Sequence, residues 1–317
     1  MKSEKIKGRD TTKFSRNIFI FAMIIVPVLH FLVFYLYVNF NSFIMAFQYP
    51  VKGEETFSLR NFTWFFSEFN EGALSPSKAN SNNIVYAVIN TLKTFGVNLV
   101  MFPVGFLTSY FIYKKVPGWQ VYRVLFFLPM IIPAFVFTYA YQTMLMNGSS
   151  IVALLKTLNN WTYEPSILSE VEHANNAVLF FVAWQAFPCN LLLWSGSLSR
   201  VPDSVVESAR LDGVNWVQEA IYIIIPVIWP TFAMQFLFLF IGLFGASGPV
   251  LLLTNGENGT QTLSNWLYQQ ILMAGGNEKS VAFNRVSAVG VVMTVITVPI
   301  CLGIRAIQGK FFRDVEY

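Results

Sequence analysis

Six long apolar stretches constrain this 317-residue chain more than any other feature. They run from Asn17 to Val38, Ile84 to Tyr113, Val121 to Met146, Asn176 to Leu198, Ile221 to Leu243 and Ser287 to Ile307. A helix needs about 20 apolar residues to cross the hydrocarbon core. Inside lipid every backbone N–H and C=O must be satisfied within the segment, so helices are the expected form. Only 12% of the residues are charged, against about 25% in soluble domains. A water-soluble fold of this size would lack the polar surface to stay dissolved. The sequence therefore predicts an all-α transmembrane protein with six spans. Pro27, Pro103, Pro133, Pro188, Pro226, Pro230 and Pro299 fall in or near these spans, where they are expected to kink the helices.

Lys and Arg assign the sides. One set comprises the N-terminal Lys2, Lys5, Lys7, Arg9, Lys13 and Arg16, then Lys114, Lys115 and Arg123 after span two. Arg200 and Arg210 after span four and Arg305, Lys310 and Arg313 at the C-terminal end complete it. The opposite, longer loops hold only Lys52, Arg60, Lys78, Lys156, Lys279 and Arg285. By the positive-inside rule both termini are expected in the cytoplasm. Lys93 lies near the outer end of span two and can snorkel to the interface. The net charge of +4 is thus accounted for by membrane topology and does not call for a nucleic acid. The first apolar stretch is too long for a cleaved signal and lacks a small-residue cleavage site.

No Asp or Glu falls within the six stretches. Intramembrane carboxylates are costly and usually mark ion or proton coupling, so an ion-coupled carrier and a carboxylate-based membrane enzyme are both disfavoured. His30 and His173 are far apart, and His30 reads as a packing residue. Cys189 and Cys301 both lie in apolar stretches and read as small buried residues, not as a disulfide. There is no Walker-type phosphate loop and no zinc-ligand spacing. Energy for any pumping must come from another chain.

The loop between spans four and five is the informative one. It reads Leu198-Ser-Arg-Val-Pro202-Asp-Ser204-Val-Val-Glu207-Ser208-Ala209-Arg-Leu-Asp212-Gly213-Val-Asn215-Trp216. Pro202 is placed to start a helix, with Ser204 and Glu207 at the S-x-x-E spacing of a capping box. Gly213 can adopt the left-handed conformation that ends it. Asn215 with Gln218 offers a second N-cap. A short surface helix, a Gly turn and a helix entering the membrane are therefore expected.

Here the sequence resembles the permease subunits of binding-protein-dependent ABC importers. Their hallmark is E-A-A-x-x-x-G followed by I-x-L-P, and Glu207, Ala209, Asp212, Gly213, Ile223, Ile225, Pro226 and Pro230 fall in register. Ser208, Val214 and Ile225 depart modestly from that pattern. The stretches Asn90-Thr91-Leu92, Arg123 to Pro129, Gly248-Pro249 through Thr254-Asn255-Gly256, and Thr260 to Tyr268 are similar to the maltose and glycerol-3-phosphate type of carbohydrate permease. The resemblance implies a six-helix type I importer fold with a cytoplasmic coupling helix between helices four and five. Glu207, Ser208, Ala209, Asp212 and Gly213 would dock on a separate ATPase, which would bind the ATP and Mg; this chain itself would need no cofactor and catalyse nothing.

The same resemblance implies a second permease subunit (a heterodimer, since the ending Phe312 to Tyr317 lacks the Gly-rich basic tail of such partners), two ATPase subunits and an extracytoplasmic solute-binding protein in a bacterial cell membrane. It divides the chain into a basic tail (1–16), the first span with a long outer loop (17–84), a permease core (85–310) and a cytoplasmic tail (311–317). Aromatic and amide side chains within the spans, Tyr139, Tyr141, Gln142, Trp184, Gln185, Asn190, Trp194 and Gln235, are candidates to line a path for a neutral carbohydrate by ring stacking and hydrogen bonding. A non-carbohydrate solute in the same family and an ion-coupled carrier remain the alternatives. Four N-x-S/T triplets begin at Asn61, Asn147, Asn160 and Asn258, and in a bacterial permease they carry no glycan.

Overall fold

A computed structural model describes residues 8–51, 54–74, 83–245, 248–275 and 278–311. Lys2, Lys5, Lys7, Lys52, Lys78, Arg313 and the ending Phe312 to Tyr317 lie outside these residues. The described chain falls into two compact units, 1–65 with 275–291 and 66–274 with 292–317.

In the first unit, α1 starts as Gly8–His30, passes through a π-helical stretch Phe31–Tyr37 and ends as Val38–Ala46. The span continues past Val38 because the next residues, Asn39 to Ala46, keep helical hydrogen bonding, with Asn39 and Ser42 side chains bonded to the Tyr35 and Val38 carbonyls. Almost every apolar side chain of α1 is exposed in the single chain. His30 is exposed as well, its ring 4.9 Å from that of Phe34. One short exception interrupts the helical fold. An antiparallel hairpin of β1 (Gln48–Val51) and β2 (Glu54–Phe57) comes after α1. Asn61, at the start of α2 (Arg60–Leu74), is fully buried and donates to the carbonyls of Ala46 (3.0 Å) and Gln48 (2.8 Å). It ties helix to hairpin, which explains an asparagine there without any glycan.

The second unit is built on α3 (Ile84–Tyr113) and α7 (Ala174–Leu198), the two unbroken spans at its centre. They approach closely at Gly105, where an added Cβ would sit 3.0 Å from the Asn190 Cβ. Between them in sequence come α4 (Trp119–Ile131), α5 (Ala134–Met144) and α6 (Ser150–Asn159). Span three is thus two helices, α4 and α5, meeting at 100°. Ile132 is extended ahead of Pro133, the conformation a proline imposes on the residue before it. After α8 (Asp203–Leu211) come α9 (Trp216–Val227) and α10 (Trp229–Ile241), bent by 88°. Pro226 cannot donate to the Tyr222 carbonyl, which lies in a π-helical stretch Glu219–Ile224. The prolines therefore break two spans where a kink was expected. A short α11 (Val250–Leu253), α12 (Leu263–Met273) and α13 (Glu278–Phe311) complete the chain. Among the described residues four helices are long and apolar enough to cross a membrane, and six spans result when each bent pair counts as one.

Two apolar clusters hold this unit together. One gathers Phe137, Tyr141, Phe181, Val182 and Val250, and the other Phe102, Phe106, Tyr110, Trp194, Leu198 and Ile224. A polar knot lies beyond the first. Residues Asn255, Gly256, Asn258 and Gly259 all have positive φ. Asn90 donates to the carbonyls of Gly259 (2.8 Å) and Gln261 (3.0 Å), and Thr91 Oγ1 accepts from the Leu263 N–H at 2.8 Å. The stretch around Asn90 and the stretch from Asn255 to Thr260, far apart in sequence, meet here. Asn258 donates to the Leu168 carbonyl at 3.0 Å, a structural role for the last glycosylation-like triplet.

Candidate functional site

The loop between spans four and five folds as short-range chemistry dictates. Pro202 is extended (φ −65°, ψ 131°), and α8 starts at the next residue. Asp203 in the first turn and Arg210 in the last complement the helix dipole. Gly213 has φ +76°. Its N–H donates to the Arg210 carbonyl (3.1 Å) and the Val214 N–H to the Ala209 carbonyl (3.2 Å), which together satisfy the carbonyls at the helix end. Asn215 then caps α9: its Oδ1 accepts from the Gln218 N–H at 2.9 Å, and Gln218 Oε1 accepts from the Asn215 N–H at 3.1 Å. Replacing Asn215 with Ala should cost about 1 kcal/mol, read as faster amide exchange in 216–219 and a small drop in unfolding temperature.

The capping box expected at Ser204 and Glu207 does not form. Pro202 is itself the N-cap and sets the helix start two residues too early for Ser204 to be the cap. Instead the Ser204 carbonyl accepts from the Ser208 hydroxyl at 2.8 Å.

The surface helix has two faces. Val206 and Ala209 are buried against the unit. Ala209 therefore anchors the helix and does not present a docking side chain, which corrects its expected role. Glu207, Ser208, Asp212 and Gly213 are exposed with Arg210, and Leu211 stands out at 89% exposure.

One ion pair anchors the start of α9. Glu219, 4% exposed, accepts two bonds from Lys114 Nζ at 2.6 and 2.7 Å. The ammonium also lies 5.8 Å from the Tyr110 ring centre, and the Tyr110 hydroxyl donates to the Trp216 carbonyl at 3.4 Å. The end of α3 and the start of α9 are thereby locked together, directly beside α8. Sequence reading missed this pair. Glu219 lies just ahead of the apolar stretch of span five, and its partner is 105 residues away. The helix containing span five starts at Trp216, so it does carry a carboxylate.

The candidate path residues do not form one site within the described chain. Trp184 and Tyr141 line a cavity of about 810 Å³ between α3, α5, α6 and α7. Its walls are otherwise chiefly apolar, with Met101, Val104, Leu145 and Phe180 among them, which suits a hydrocarbon surface better than a sugar. The Tyr141 hydroxyl is used internally, donating to the Ala177 carbonyl at 2.8 Å. Gln142 donates to the Leu253 carbonyl (3.4 Å) and Asn190 to the Ala186 carbonyl (3.3 Å). Tyr139 is exposed on α5, Gln185 is half-buried on α7, and neither lines the cavity.

Trp194 is a correction. It is fully buried and makes edge-on contacts with Phe102 (5.3 Å) and Phe106 (5.4 Å), so it belongs to the core of this unit. Gln235, 9% exposed, keeps an unpaired Nε2, the kind of buried polar atom that calls for a further partner.

These features define a class: a polytopic helical membrane protein carrying a surface helix between its fourth and fifth spans. Residues 101–317 match the family described as "Binding-protein-dependent transport system inner membrane component", and the chain belongs to that family. It is 28% identical to the probable ABC transporter permease protein YurN of Bacillus subtilis (strain 168), over 92% of this chain and 95% of that protein. It is 26% identical to the arabinooligosaccharides transport system permease protein AraP of the same strain, over 90% of this chain and 86% of that one. Among solved structures, a bacterial ABC transporter involved in the import of the acidic polysaccharide alginate shares its fold. That likeness has a TM-score of 0.75 at 18% identity and covers 96% of this chain and 100% of that one.

Proposed function

We propose that this chain is half of the translocation path of an ABC importer for a carbohydrate, driven by ATP hydrolysis on a separate subunit. The observation that carries the proposal is α8: a short helix anchored by Val206 and Ala209, with Glu207, Ser208, Leu211 and Asp212 exposed. In this reading it docks on an ATPase. The Gly213 turn joins it to α9, whose start the Lys114–Glu219 pair ties to the end of α3. Closure of an ATPase dimer around ATP and Mg would push α8 and shift the bundle between inward-facing and outward-facing states.

The partners are a second permease, two ATPases and an extracytoplasmic binding protein, with both termini in the cytoplasm. Sequence similarity to AraP supports an oligosaccharide as the cargo. Path residues already engaged in internal hydrogen bonds leave Tyr139, Gln185 and Gln235 as the better candidates to meet sugar hydroxyls once the second permease completes the path.

The test is uptake into liposomes by the reconstituted transporter with its binding protein, against a panel of oligosaccharides. Uptake should require ATP. Glu207→Ala should lower it several-fold. Gly213→Val should nearly abolish it, while Gly213→Asn, which tolerates positive φ, should retain most of it. Uptake without an ATPase, or Gly213→Val behaving as wild type, would defeat the proposal.

A further inference from the structure

A second cavity, of about 260 Å³, lies where α3, α4 and α7 end on the face that carries α8. Lys115, Arg123 and Trp119 line it together with Ser109, Ser195 and Ser199. No Asp or Glu lines it. Among the described residues neither Lys115 nor Arg123 has an ion-pair partner. Membrane topology explains why basic residues sit on this face, but it does not require that two of them share a cavity with three hydroxyls. Lys115 takes a left-handed conformation (φ +53°) at the turn between α3 and α4. A non-glycine residue in that region costs about 1–2 kcal/mol, so the turn is set by more than the residue's own preference.

We propose that this cavity holds the phosphate of an anionic phospholipid from the adjoining leaflet. Two cations and the Ser195 hydroxyl, with no carboxylate among the described lining residues, suit a phosphodiester, and basic pockets between transmembrane helices are a known means of holding such headgroups; the Ser109 and Ser199 hydroxyls already donate to the Leu191 and Gly196 carbonyls. The surroundings favour a lipid over a free phosphate. Phe126, Phe127 and Met130 continue along the same face of α4 as Trp119 and Arg123, with Met130 at 49% exposure, and the acyl chains would lie there. Trp119, at the mouth, is a side chain suited to the membrane interface.

The test is native mass spectrometry of the intact transporter complex in detergent, titrated with phosphatidylglycerol or phosphatidylcholine. Wild type should retain phosphatidylglycerol preferentially. Lys115→Gln should weaken that retention about fivefold and Lys115→Gln with Arg123→Gln about 25-fold, at about fivefold per basic residue. Arg123→Lys should keep most of the affinity, and Lys310→Gln, exposed and outside the cavity, should keep all of it. Should the double variant fail to assemble, the single Lys115→Gln decides, since Lys115 is exposed and packs into no core. Retention unchanged in Lys115→Gln, or weakened equally in Lys310→Gln, overturns the proposal. Displacement of the lipid by millimolar inorganic phosphate would assign the cavity to a soluble anion and overturn the lipid as its occupant.

Discussion

Glu219→Ala is expected to remove about 3–5 kcal/mol of stability, the usual loss when one member of a buried ion pair is deleted. The cost does not come from the attraction lost. It comes from leaving Lys114, only 18% exposed, without its counter-charge. Lys114→Ala should cost a similar amount, because Glu219 would then be stranded at 4% exposure. The doubly exchanged variant, Lys114→Glu with Glu219→Lys, should recover a large part, and a double-mutant cycle isolates the coupling. Unfolding temperature of the purified complex is the first readout and ATP-dependent uptake the second. Single variants as stable as wild type would mean the pair is solvated in the assembled protein.

Gly256→Ala should be the other severe substitution, at about 2–4 kcal/mol. Gly256 has φ +83°, and an added Cβ would fall 2.0 Å from Asn265 Nδ2. That amide is engaged, donating to the Asn255 carbonyl at 3.2 Å, while Gln269 Nε2 donates to Asn255 Oδ1 at 2.8 Å. Displacing Asn265 would loosen the knot that gathers the stretches around Asn90 and Thr260. Loss of expression or a marked fall in unfolding temperature is the expected result. A contrasting glycine is Gly213, where an added Cβ meets nothing within 4 Å. Gly213→Ala should therefore cost only the backbone conformation, about 1–2 kcal/mol.

Local chemistry was legible in the sequence, and long-range chemistry was not. The spans, the left-handed Gly213 and the Asn215–Gln218 cap depend on residues within a few positions of one another, and each is found in the fold. The Ser204–Glu207 box failed within the same short range because Pro202 outcompeted it for the helix start. Proline positions marked where spans three and five would bend but not that the angles would reach 100° and 88°. Those depend on what each half-helix packs against. Lys114 read only as a charge that assigns the membrane side, and nothing local links it to Glu219, which the fold places 2.6 Å away. Trp194 and Trp184 are indistinguishable by type and spacing, yet one closes the core and the other faces a cavity. An amphipathic surface helix does reveal which face is buried. The Val206 and Ala209 spacing of three residues is that of one helix face, and it separates Ala209 from Glu207 and Ser208.

The most direct measurement is disulfide cross-linking from α8 to the ATPase subunit, in a transporter freed of Cys189 and Cys301. Cysteines placed at Glu207, Ser208 and Leu211, all exposed, should each cross-link to an ATPase cysteine, with yields that change when ATP is bound. A cysteine at Val206, buried at 5% exposure, should not. Cross-links that form at the exposed positions and vary with nucleotide would establish α8 as the coupling element. No cross-link from any exposed position of a complex that still imports its solute would contradict that assignment.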